Sequence, residues 1–86
     1  MKFILDKDNT LAINAAFVKT VYIERESGAT VSVTAEVIAS PSDEHDKTYN
    51  YNATLATFDG DDLKANLSAA QTYLAELIDK LNGGKS

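Results

Sequence analysis

Three carboxylates crowd one glycine in Asp59-Gly60-Asp61-Asp62, and such a cluster can either hold a hard cation or cap a helix. A calcium loop needs acids at alternating positions, a glycine at the sixth and a glutamate at the twelfth. Counted from Asp59 the sixth residue is Lys64 and the twelfth Ala70; counted from Asp6 they are Leu11 and Phe17. Neither stretch is a calcium loop. Capping fits better, because carboxylates at a helix start accept from unpaired amides and face the positive end of the helix dipole, contributing about 0.5–2 kcal/mol. The aspartates are read as a joint, and no metal ligand is assigned.

The other candidates are sparse. His45 stands among Asp43, Glu44 and Asp46, whose charge favours its protonated form, and a lone histidine makes a poor zinc site. With no cysteine there is neither a disulfide framework nor a thiolate metal site. No serine lies in a nucleophile-elbow pattern, and no glycine-rich phosphate loop occurs. We therefore expect no catalytic residue, no cofactor and no enzymatic activity. The tyrosines are the best contact residues, since they present rigid area with a polar tip.

Composition narrows the partners. Thirteen acids against eight bases give a net charge of −5, which disfavours the polyanions nucleic acid and anionic membrane. Phe3-Ile4-Leu5, between Lys2 and Asp6, is too short for the apolar centre of a signal peptide, and no apolar run approaches the roughly 20 residues that span a bilayer. The expected setting is cytoplasmic, so the sequons at Asn52 and Asn66 are read as accidental. At 86 residues the chain is one domain that buries only about 60–65% of its unfolded surface, a thin margin that self-association would widen.

The elements that must position any site follow from periodicity. Val31, Val33, Ala35 and Val37 alternate with Thr30, Ser32, Thr34 and Glu36, the pattern of an antiparallel strand with one wet face. Similar reasoning predicts strands over residues 2–6, 10–14, 17–24, 29–38 and 48–58, with turns at Asp6–Asn9 and Arg25–Gly28 and an exposed loop at Ser40–Lys47. From Leu63 the period lengthens: Leu63, Leu67, Ala70, Leu74, Leu77 and Leu81 share one face of a helix over 61–82, closed by Asn82-Gly83-Gly84. Ser68 with Gln71 also fits a capping box, which leaves open a helix start at Ser68 instead of near Asp61. The expected fold is α+β, a four- or five-stranded antiparallel meander with one C-terminal helix across one face.

That geometry points to association. Four or five strands make a sheet about 19–24 Å wide, whereas a helix covers about 10–12 Å. Either the sheet curls round the helix or apolar area is left for a second copy or a partner. Tyr49 and Tyr51 share a face with Leu55 and are expected in or at the edge of the core. With strands paired in order, Val18, Tyr22 and Ile38 would sit together on the uncovered face as an interface patch.

Leu11-Ala12-Ile13-Asn14, then Val18 and Val21-Tyr22-Ile23-Glu24, with Leu55-Ala56-Thr57-Phe58-Asp59 and Ala70–Ile78 further on, resemble small uncharacterised proteins of Gram-positive bacteria and their phages. The chain departs from them by placing Gly60–Ser68 between the last strand and the recognisable helix, and Ala15-Ala16-Phe17 where they carry a polar turn. The resemblance implies a sheet plus helix and a bacterial or phage setting, and transfers no site residues. The leading expectation is a non-enzymatic protein–protein interaction or structural module that forms a homodimer. The alternatives are an acidic decoy of a basic or nucleic-acid-binding protein and a small-ligand carrier.

Overall fold

The computed structural model describes residues 3–38 and 50–83. The element order is β1 (Phe3–Leu5), β2 (Ala12–Asn14), a short 3-10 turn (Ala15–Phe17), β3 (Val18–Arg25), β4 (Val31–Ile38), β5 (Asn50–Phe58) and α1 (Leu63–Leu81). The class is α+β, as expected, but the strands do not form one meander. Among the described residues β3-β4-β5 make a three-stranded antiparallel sheet, while β1 and β2 pair only with each other. Residues 14–17 cause the split: Asn14 caps the 3-10 turn by accepting from the Ala16 amide at 2.9 Å, and the chain leaves the hairpin before β3 begins.

β4 is the central strand, and its alternation decides the core. Val31, Val33, Ala35 and Val37 are buried on the helix side. Opposite them on β3 stand Ile23, Val21 and Val18, and on β5 Phe58, Ala56, Ala53 and Tyr51. The other face carries Ser32, Thr34, Glu36 and Ile38 beside Glu24, Tyr22 and Thr20 on β3, and beside Thr57, Thr54, Asn52 and Asn50 on β5. Apart from Ile38 and Tyr22 it is a face of hydroxyls, amides and carboxylates.

Two irregularities change side-chain direction, since one extra residue in a strand reverses all that follows. The β3–β4 register shifts between Val18 and Thr20, and the β4–β5 register between Val33 and Thr34, which skips Leu55. The first shift turns Val18 to the helix side opposite Val37, where it packs against the core. Val18 therefore does not share a face with Tyr22 and Ile38, and the expected three-residue patch does not form.

α1 begins at Leu63, with Asp62 as its N-cap accepting from the Lys64 amide at 3.0 Å. Ser68 lies inside the helix, so the capping box there is not used. The helix ends with Gly83 at φ 107° and with the Asn82 amide donating to the Ile78 carbonyl at 3.0 Å.

The helix and the hairpin share the task of covering the sheet. Ala70, Leu63, Tyr73 and Leu74 pack over Val31, Val33 and Ala56 at one end. At the other, Ile4 and Ile13 from the hairpin join Leu77 over Ala35, Val37, Ala53 and Leu55. Three strands span only about 14 Å, so a helix with a hairpin beside it is wide enough. The width mismatch expected of a broader sheet is absent. Ser40–Lys47, with His45, and Tyr49 lie outside the described residues.

Candidate functional site

The aspartate cluster is built as a joint. Asp62 caps α1, while the neighbouring Gly60 is gripped by Asn66 one helical turn further on. The Gly60 amide donates to Asn66 Oδ1 at 3.2 Å, and Asn66 Nδ2 donates to the carbonyls of Gly60 at 2.9 Å and of Ala29 at 2.8 Å. One buried carboxamide thus ties the helix start to the β5–α1 connection and to the β3–β4 turn. Sequence reasoning passed over Asn66, although its position one residue before Leu67 and four before Ala70 puts it on the apolar stripe. A polar side chain there needs buried partners. Among the described residues no three carboxylate or histidine side chains are grouped as a metal site.

A concave surface lies elsewhere, between β1 and the C-terminal half of α1. It is a cleft of about 300 Å³ lined by Phe3 to Lys7 and Asn9 on the hairpin side and by Tyr73, Glu76, Leu77, Lys80 and Leu81 on the helix. Alternation places it: Ile4 points into the core, so Phe3 and Leu5 point out, 56% and 51% exposed. Phe17, Tyr51 and Ile78 are further large apolar side chains in contact with solvent, which puts Tyr51 at the core's rim.

The polar end of the cleft is a rigid turn. Asp6 Oδ1 accepts from the amides of Thr10 and Leu11 at 2.6 and 3.0 Å, and Oδ2 accepts from the Thr10 hydroxyl at 2.8 Å. The Asp6 backbone closes the loop with Leu11 and Asn9, and Asn9 takes the left-handed conformation, φ 60°, that asparagine tolerates. These bonds, the Thr10 hydroxyl foremost, hold the Asp6 carboxyl below its usual range. The carboxylate is occupied in shaping its own turn.

Three contacts fasten this turn and strand to the body. The Lys7 amide donates to the Leu55 carbonyl at 2.8 Å, at the residue that the β5 irregularity leaves unmatched. The Lys7 ammonium sits 4.9 Å from the centre of the Phe58 ring, which meets Tyr73 edge-on at 6.3 Å. Across the cleft, the Tyr73 hydroxyl donates to the Leu5 carbonyl at 3.4 Å. Partial burial, and then the charge of Asp6, push the Tyr73 phenol above its ordinary pKa, which keeps it a neutral donor.

The interface residues drawn from the sequence are thus dispersed. Val18 faces the core, Tyr22 is half-buried opposite Thr34 on the polar face, and Ile38 stands opposite Asn50 on that face. Among the described residues no helix is long and apolar enough to cross a membrane. Comparison with protein-family models, with curated proteins and with solved structures finds no match for the chain.

Proposed function

We propose that this protein is a non-enzymatic protein–protein interaction module that self-associates through the hairpin side of the molecule, using the β1–α1 cleft and the outward side chains of β1. The observation that carries the reading is the exposure of Phe3 and Leu5 beside a cleft walled by Tyr73, Leu77 and Leu81. Adjacent large apolar side chains at a concave site mark contact surfaces more often than bare solvent boundaries. The contact has moved from the polar sheet face to the hairpin, whose outer strand edge pairs with no other described strand. The bacterial or phage setting belongs to the same reading, supported by the resemblance of the Leu11–Glu24 and Leu55–Ile78 segments.

The test is sedimentation of the full chain against concentration, with Phe3→Ser/Leu5→Ser beside it. Concentration-dependent dimerisation that the double substitution abolishes supports the reading. A wild-type monomer at high micromolar concentration removes self-association.

One feature favours a carrier as the second reading: the cleft reaches the lower end of the roughly 300–1,000 Å³ range of small-molecule sites. Stabilisation by an apolar metabolite in a thermal-shift screen would support it. A screen with no shift would leave the interaction module alone.

A further inference from the structure

We propose that the β1–β2 hairpin is a hinged cover that opens as a unit and gates access to the apolar floor of the cleft. The inference rests on the cleft as the contact surface and adds how that surface is regulated. The hairpin is a sheet of its own with three residues per strand, a size that is not stable in isolation. Among the described residues, the contacts that hold it down include the inward side chains of Ile4 and Ile13, the Lys7 amide on Leu55, the Lys7 ammonium on Phe58 and the long bond from Tyr73 to Leu5.

The cleft separates β1 from α1, so outward rotation has few contacts with the helix to break. The 3-10 turn Ala15–Phe17, without a buried residue, is the hinge that joins the hairpin to β3. The three-stranded sheet does not depend on the hairpin for its ladder. Val31, Val33, Ala56 and Ala70 form a core of their own under the first half of α1. Opening therefore bares Leu77, Val37 and Leu55 while that second core stays closed, which is the behaviour of a separate cooperative unit.

Hydrogen exchange on the full chain tests this directly. The amide of Lys7, bonded to the Leu55 carbonyl in the closed state, should exchange at least about tenfold faster than those of Val33 and Ala35. Because the chain has no cysteine, thiol labelling gives a second readout. Val37→Cys, at a buried position that clusters with Ile4 and Ile13 and does not line the cleft, should react at the hairpin's opening rate and Val33→Cys only at the slower rate of whole-protein unfolding. Equal exchange of hairpin and β4 amides, or equal labelling of the two cysteines, overturns the hinge. If the cysteine variants do not fold, exchange in the unsubstituted protein decides. Both readouts are taken at a concentration where the chain is monomeric, which makes them independent of self-association: a hinge without a dimer discards the contact reading, and a dimer without a hinge discards only the gate.

Discussion

Asn66 and Gly60 hold each other by both ends of their polar groups: the glycine amide donates to the carboxamide oxygen at 3.2 Å, and the carboxamide nitrogen returns a bond to the glycine carbonyl at 2.9 Å. A third bond, to the Ala29 carbonyl, makes Asn66 the junction of three chain segments. Asn66→Ala leaves all three backbone groups without this partner and should cost about 2–3 kcal/mol in urea unfolding at neutral pH. Gly60→Ala should cost less, about 1 kcal/mol, because its new methyl would lie 3.1 Å from Asn66 Oδ1 and the carboxamide must shift. A neutral Asn66→Ala would mean that the joint is held by something else.

The two candidate helix starts make opposite demands. Asp62→Ala should lose about 1 kcal/mol, since its side chain satisfies the Lys64 amide. Ser68→Ala, exposed and inside the helix, should fall within about 0.5 kcal/mol of the original protein. Chemical denaturation of both variants checks the assignment, and a larger loss at Ser68 would reverse it.

The leucine ridge is not uniform. Leu77 is 6% exposed at the meeting of helix, sheet and hairpin, so Leu77→Ala should destabilise by about 2–4 kcal/mol. Ile78 and Leu67 are about two-fifths exposed, and truncating either should cost under about 1.5 kcal/mol. Equal losses would mean that the buried face of α1 is rotated from the one described.

The Asp6 turn gives stability a dependence on pH. Its carboxyl is held below the unfolded value, so the unfolded state takes up the proton first as pH falls. The contribution is complete above the unfolded pKa near 4 and is lost as pH drops through the lower folded pKa. Asp6→Asn should be less stable than the original protein at neutral pH, with the gap closing in acid. Carboxyl titration by NMR should place Asp6 below the usual aspartate range, and a normal Asp6 pKa would contradict the cage of bonds around it.

Much of this fold was legible because its signals are periodic. The β4 alternation and the stripe from Leu63 to Leu81 are long enough to average out single exceptions, and both lie where they were expected. The division into two sheets was not legible, since β1 and β2 have three residues each and the turn at Asn14–Phe17 reads equally well as a break within one sheet. Val18 was misplaced because alternation assumes a constant register, and one unmatched residue at Lys19 reverses every side chain before it. The cleft escaped notice because it depends on where a hairpin lands on a helix more than sixty residues away, as the bond from Tyr73 to Leu5 shows. Asn66 alone left a usable signal, an amide on an apolar stripe.

The account depends most on the hairpin side of the molecule being a contact surface. Sedimentation velocity from low to high micromolar concentration, on the full chain and on Phe3→Ser/Leu5→Ser, measures this most directly. Both side chains are exposed, so the variant should keep its fold and helical signal. We expect the original chain to gain mass as a dimer while the variant stays monomeric. A monomer at every concentration, or a dimer that the two serines leave intact, would contradict the proposed surface.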